Sequence, residues 1–302
     1  MILDTNQRIG DAWRHRWDSL RLFTPARYSS LPGMAFPASA WSYPTKDQVA
    51  DYLETYAARF QLPVRTSTRV DRLAREGDRY LVVAGDRRWE ANQVVVASGA
   101  YQRPRIPAFA ADLDLSIVQL DADRYRNRSQ LADGGILVVG AGNTGAEIAL
   151  EAAGDRRQVW LSGRDTGEES PFRVGSVADR LLTPPFWFVI SRVLTVDTRI
   201  GRRLRHKGQA MGWPLVRVKA KDLTAAGIRR VPRTVGVREG HPVLKDGRGL
   251  EVANVVWCTG FASDFGWIDL RVLGSDGRPV HDRGVVASQP GCTSSGCSSS
   301  PP

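Results

Sequence analysis

Short apolar runs punctuated by glycine alternate along this chain with stretches of helical spacing. Ile136–Val139 is a continuous apolar run too short for a helix, and Ala146, Ile148, Ala149 and Leu150 then repeat at helical intervals. That order predicts a buried strand, a glycine turn and a helix ending near Ala152. Val159–Leu161 predicts the next strand, and a strand–helix–strand rhythm implies a parallel sheet. Val94–Ala97 and Val255–Trp257 predict further buried strands, and Ile2–Asp4 reads as the end of another. Lys46 to Phe60 places Val49, Tyr52, Leu53 and Tyr56 on one helical face. Val64–Val70, Tyr80–Val83 and Arg88–Glu90, with a turn at Gly85-Asp86, predict an antiparallel ribbon. Arg233–Arg238 and Pro242–Leu244 read as short strands, and residues 11–43 as irregular. The apolar segment Leu181–Val196, broken by Pro184-Pro185, is expected in the core or at a domain contact. After Pro290 only Gly, Cys, Thr, Ser and Pro remain, a composition unable to build a core.

Length and charge narrow the class. A chain of 302 residues suggests two domains. Lys and Arg exceed Asp and Glu by 42 to 32, for a formal charge of +10, which suits polyanions such as phosphorylated cofactors. The cations are scattered, and no helix-turn-helix, zinc-finger or RNP signature accompanies them, so nucleic acid is not expected as a partner. Cys258 lies in an apolar run, and Cys292 and Cys297 lie in the Ser-rich tail. Neither a disulfide framework nor a zinc site is implied, and no metal is expected. His15, His206, His241 and His281 are dispersed. Without a signal peptide or an apolar run of spanning length, the expected compartment is the cytoplasm.

The chemistry is concentrated at residues 140–145, Gly-Ala-Gly-Asn-Thr-Gly. This G-x-G-x-x-G follows a strand and opens a helix, the context in which such a motif binds a dinucleotide. Gly140 serves the tight turn, Gly142 lets the backbone approach a pyrophosphate, and Gly145 allows close helix–strand packing. The helix N-terminus offers N–H groups to phosphate, with Asn143 and Thr144 in its first turn. The next strand ends in Ser162-Gly163-Arg164, where an NAD site would carry an acid. A hydroxyl and a guanidinium suit a 2′-phosphate, so NADPH is expected. Asp165 keeps NAD as the minority reading.

With these residues the chain resembles the class B flavin-dependent monooxygenases, the group of flavin-containing monooxygenases, YUCCA-type enzymes and Baeyer–Villiger oxygenases. Ala97-Ser98-Gly99, followed by Pro104 and Pro107, resembles the family segment where the chain leaves the FAD domain. Cys258-Thr259-Gly260-Phe261 resembles the segment where it returns. Gly10-Asp11-Ala12-Trp13, Arg21-Leu22-Phe23-Thr24-Pro25 and Phe36-Pro37 resemble FAD-contacting loops, and Asp4 falls at the position of the acid that holds the FAD ribose. The resemblance implies an α/β, two-dinucleotide-binding-domain flavoprotein with Rossmann-like doubly wound sheets. Its FAD domain would be discontinuous, 1–130 and 254–302, around an NADPH domain at 131–253. Residues 255–260 are then expected to share a sheet with 94–97. FAD contacts or junction roles fall to Asp4, Trp13, Leu22, Thr24, Pro25, Ala97, Ser98, Gly99, Thr259 and Gly260. The implied activity is hydride transfer from NADPH to FAD, then transfer of one oxygen atom of O2 to a small molecule through a flavin hydroperoxide. The cofactors carry that chemistry, and no catalytic side chain is assigned.

The chain also departs from the family pattern. The first strand and its glycine loop have no counterpart, and Asp121 stands where a family histidine is expected ahead of Tyr125. The tail from about Gly291 reads as a shifted reading frame of an apolar strand. These departures lead to the expectation that the chain holds FAD weakly. An inactive remnant or NADPH-binding module is therefore an open alternative. An NADPH-dependent disulfide reductase using Cys292 and Cys297 is another. A membrane-surface role for Leu181–Val196 with Arg199, Arg202, Arg203, Arg205 and Lys207 stands behind the core reading of that segment.

Overall fold

The structure is a computed structural model that describes residues 1–155, 157–164, 174–192, 195, 198, 214–275, 277–289 and 291–294. The chain forms two compact units, Met1–Ala12 with Leu53–Arg105 and Gly260–Pro302, and Trp13–Tyr52 with Ile106–Thr259.

In the first unit, β1 (Ile2–Leu3) pairs in parallel with β2 (Val64–Arg65). Strands β3 (Arg72–Glu76), β4 (Arg79–Ala84) and β5 (Arg87–Ala91) make an antiparallel sheet that holds the expected Tyr80–Val83 and Arg88–Glu90, but Arg72–Glu76 takes the place foreseen for Val64–Val70, whose strand β2 pairs with β1 instead. Strand β6 (Val94–Val96) is followed by β7 (Arg103–Pro104). Leu73, Tyr80, Val96, Phe265, Ile268, Val272, Val286 and Cys292 form this unit's core.

The second unit is built on a five-stranded, all-parallel sheet. Its strands are β8 (Val118–Asp121), β9 (Ile136–Val139), β10 (Val159–Ser162), β11 (Arg229–Val231) and β14 (Asn254–Trp257), in the order β11-β10-β9-β14-β8. Every residue of β9 is buried because both sheet faces are covered, the usual state of an inner parallel strand. Ile136 and Val138 join one core with Ala146, Ile148 and Ala149. Leu137 and Val139 join the opposite core with Leu244, Val255 and Trp257. The antiparallel pair β12 (Thr234–Arg238) and β13 (His241–Leu244) supplies Leu244 to that second face. The helices are α1 (Asp11–Arg14), α2 (Lys46–Arg59), α3 (Asn143–Ala152), α4 (Val177–Arg192) and α5 (Ala220–Ala225).

Three further expectations change. Val255–Trp257 forms β14 beside β9 and not beside β6. The reason is burial: all four residues of β14 are enclosed, which demands a partner on each edge, and β8 and β9 provide them. Strand β6, with an exposed middle residue, instead pairs in parallel with β16 (Cys292–Ser294). The start of the polar tail therefore does pack, and Cys292 is buried in the first core. Finally, Pro184 and Pro185 do not break the apolar segment. Their missing N–H groups cannot donate to the carbonyls of Arg180 and Leu181. Both residues are exposed, so water can bond those carbonyls.

Candidate functional site

The C-terminal ends of β9, β10 and β14 converge on the glycine motif. Strand order reverses between β9 and β14, because the chain runs outward to β10 and β11 on one side and places β14 and β8 on the other. Ligands of open α/β sheets bind outside the carboxyl ends at such a switch point. Gly140 turns there with φ +115°. A Cβ on it would stand 2.1 Å from the Cys258 carbonyl oxygen, and one on Gly145 would stand 1.8 Å from the Gly140 carbonyl oxygen. Both positions are closed to any side chain. The loop is pinned by hydrogen bonds from Gly140 N–H to the Ser162 carbonyl (2.7 Å) and from Cys258 N–H to the Val139 carbonyl (2.7 Å).

Gly142 differs from its neighbours. It is the N-cap of α3, is exposed, and has no atom within 4 Å of where a Cβ would be. With no side chain, it caps none of the first-turn N–H groups of Asn143, Thr144 and Gly145. Those donors have no intrahelical acceptor, and the helix dipole adds positive potential at the same point. A pyrophosphate fits this open, uncapped cradle.

The side chains divide unevenly. Asn143 turns away from the cradle: its Nδ2 donates to the Pro214 carbonyl (2.9 Å), and its Oδ1 accepts from Val216 N–H (2.9 Å). Thr144 is half-buried. Ser162 is fully buried, and its Oγ donates to the Pro232 carbonyl (2.9 Å), accepts from Thr234 N–H (2.8 Å) and lies 2.8 Å from Thr234 Oγ1. A saturated, enclosed hydroxyl cannot grip a 2′-phosphate, so Ser162 is removed from the expected cofactor contacts. Arg164 remains: it is exposed just past Gly163, and Gly163 abuts Ala141 of the loop so closely that a Cβ would meet Ala141 N at 2.7 Å.

One group beside the cradle was not singled out from the sequence. Glu147, one turn after Asn143, is buried; its Oε2 meets Arg217 Nη1 at 3.3 Å, and its Oε1 has no hydrogen-bond partner among the described residues. Burial pushes its carboxyl up to about 7, Arg217 opposes the shift and Glu151 adds to it. An acid on the otherwise apolar face of the motif helix was the available signal. Cys258 floors the loop, and burial, with Asp121 nearby, pushes its thiol up to about 12. Asp121 closes the end of β8 by accepting the N–H groups of Asp123 (2.8 Å) and Arg124 (3.0 Å). Among the described residues no cluster of His, Cys, Asp or Glu could hold a metal ion.

The residues expected at FAD fall in both units. In the first, Asp4 is half-buried, and its Oδ1 accepts from Asn6 N–H (2.9 Å) and Nδ2 (3.0 Å). Ala97 and Ser98 are exposed, and the Gly99 carbonyl accepts from Gln102 Nε2 (2.8 Å). Beyond Gly260, β15 (Phe261–Ala262) pairs antiparallel with β7, so the stretches following the two strand-end segments join in one ribbon. In the second unit, Trp13, Leu22 and Thr259 are half-buried. Thr24 Oγ1 lies 3.1 Å from Ser29 Oγ, and Pro25 is buried at the start of the single turn Ala26–Tyr28. Asp4 suits a ribose; among the described residues of the first unit the one helix start behind a glycine is that of the four-residue α1 after Gly10, where Asp11 N–H already donates to the Arg8 carbonyl (3.2 Å).

Comparison with known proteins agrees with this geometry. The family model described as pyridine nucleotide-disulphide oxidoreductase matches residues 1–176. An uncharacterized CzcO-like oxidoreductase of Geobacillus kaustophilus is 40% identical over 288 residues, 95% of this chain and 80% of the relative. The indole-3-pyruvate monooxygenase YUCCA1 of Oryza sativa is 32% identical over 154 residues, 50% of this chain and 38% of the relative. A solved flavin-containing monooxygenase from Stenotrophomonas maltophilia superposes with a TM-score of 0.72 at 26% identity, covering 97% of this chain and 81% of that one.

Proposed function

This chain belongs to the pyridine nucleotide-disulphide oxidoreductase family, and on that premise we propose that it serves an FAD- and NADPH-dependent monooxygenation of a small molecule by O2. The family and its flavin monooxygenase members imply FAD and NADPH as cofactors. The observation that carries the reading is the uncapped start of α3 at the switch point of the parallel sheet. When bound, NADPH would supply hydride. The chain's own part is to hold and orient it. The N–H groups of Asn143, Thr144 and Gly145 face the pyrophosphate across the open Gly142. Arg164 pairs with the 2′-phosphate, and a charged fork suits that group better than it suits a bare ribose.

For FAD we assign a ribose contact to Asp4 and junction roles to Ala97, Ser98, Gly99, Thr259 and Gly260, with Trp13, Leu22, Thr24 and Pro25 as neighbouring contacts. The described residues of the first unit provide no second phosphate cradle, so no chemical step is derived through the flavin. The proposed compartment is the cytoplasm; no helix among the described residues is long and apolar enough to cross a membrane. The disulfide-reductase alternative gains nothing from Cys292, which is buried and whose thiol burial pushes up. Cys297 lies outside the described residues.

Titrating NADPH and NADH into the wild type and Arg164→Ala tests the assignment. Loss of a charge-assisted contact to phosphate is expected to weaken NADPH by about 1.5–3 kcal/mol while leaving NADH unchanged. Equal NADPH affinity in the two proteins would overturn the role of Arg164.

A further inference from the structure

Helix α4 is inside out. Among the described side chains, the first two turns face their unit with polar groups: Asp179 and Thr183 are 4% and 5% exposed. They bond to each other through Thr183 Oγ1 and Asp179 Oδ1 (2.6 Å), and Asp179 Oδ2 accepts from the Tyr43 hydroxyl and from Gly175 N–H. One turn on, Trp187 stacks on Tyr28 at 5.9 Å. The opposite face is apolar and open, with Val177, Leu181 and Phe188 at 73%, 69% and 64% exposure and Leu182 and Val189 also exposed. At 3.6 residues per turn, Val177, Leu181, Phe188, Leu182 and Val189 share one side of the helix. The buried polar pair is satisfied by its hydrogen bonds, whereas the large apolar side chains of the outer face are wetted, which is costly in water.

We propose that α4 is a membrane-surface contact whose outer face lies in the headgroup–acyl boundary of an anionic phospholipid bilayer. Length supports lying over crossing: 16 residues span about 24 Å as a helix, short of the roughly 30 Å hydrocarbon core. Charge selects the occupant. The helix exposes Arg180 and Arg192, and its one acid, Asp179, is buried. The sequence that follows adds five cations and no acid between residues 199 and 207. A second copy docking by two-fold symmetry would set these like charges against themselves. Anionic headgroups complement them, while the aliphatic and aromatic face enters the boundary as interfacial helices do.

The test is sedimentation of the full chain with vesicles of phosphatidylcholine alone and of phosphatidylcholine mixed with phosphatidylglycerol. Binding is expected to the anionic vesicles, weakened by salt, and reduced at least about 10-fold in Val177→Glu/Leu181→Glu. Thermal unfolding and NADPH affinity should be unchanged in that variant. If the double charge prevents folding, Val177→Gln/Leu181→Gln replaces it with the same expectation. Wild type that ignores anionic vesicles would overturn the proposal. So would folded variants that bind like wild type, or a wild-type dimer that the substitutions dissociate without any vesicle binding.

Discussion

Helices α3 and α4 belong to the same unit and use similar residues to opposite ends. In α3, Ala146, Ile148, Ala149 and Ala152 are buried against the sheet, and the polar opportunity is the backbone at its open N-terminus. Among the described side chains of α4 the buried ones are Asp179 and Thr183, and the start is closed by Ser176 Oγ accepting Asp179 N–H at 3.1 Å. A capped start has satisfied its donors and has little to offer an anion. An uncapped start with room around it has unspent donors. The pair teaches that hydrophobic periodicity locates a helix, whereas the state of its first turn and the sign of its buried face say what the helix is for.

The contrast can be broken most severely at Gly145. Gly145→Ala should cost more than about 4 kcal/mol, because the methyl would overlap backbone that cannot yield; a protein that unfolds within about 1 kcal/mol of wild type in urea would refute the close packing. Ile148→Ala should cost about 2–5 kcal/mol as a fully buried truncation, again read by urea unfolding.

Glu147 sharpens the picture through pH. Its folded value of about 7 exceeds the ordinary 4.5, so the folded state holds the proton more tightly. Its contribution is fully present below pH 4.5 and is lost as pH rises through 7. Glu147→Gln should therefore unfold like wild type near pH 5 and be more stable near pH 8, by up to about 3 kcal/mol. A constant difference across that range would show that the carboxyl is not held protonated. Leu181→Ala is expected to have the smallest effect, within about 0.5 kcal/mol, as an exposed position on the outer face of α4. A loss above about 2 kcal/mol would mean that the outer face of α4 is covered in the folded chain.

Much of the nucleotide-binding unit was legible because its signals are local. An apolar tetrad, three spaced glycines and a following helical period announce β9, the loop and α3 without knowledge of any partner. Sheet membership was not legible in the same way. Val255–Trp257 reads as a buried strand beside either β6 or β9, and only the demand for cover on both edges decides. Ser162 misled because a hydroxyl at a strand end can face ligand or core with equal ease, and its direction depends on Thr234, 72 residues away. The outer face of α4 misled for a related reason. Apolar spacing is the same whether the stripe faces a core or a bilayer, and the discriminating facts are the buried Asp179 and Thr183 opposite it.

Asn143 ties two parts of the molecule into one energetic unit. Its main chain belongs to the anion cradle, its side chain clasps Pro214 and Val216, and Glu147, one turn further on, meets Arg217 of the same stretch. Any occupant that immobilises the first turn of α3 also steadies this clasp, and any disturbance of residues 214–217 is felt as weakened occupancy. The two must trade equal free energy, because linkage is reciprocal. Protection of the Val216 amide against hydrogen exchange, an observable one loop away from the nucleotide, would then rise with saturation and serve as its gauge.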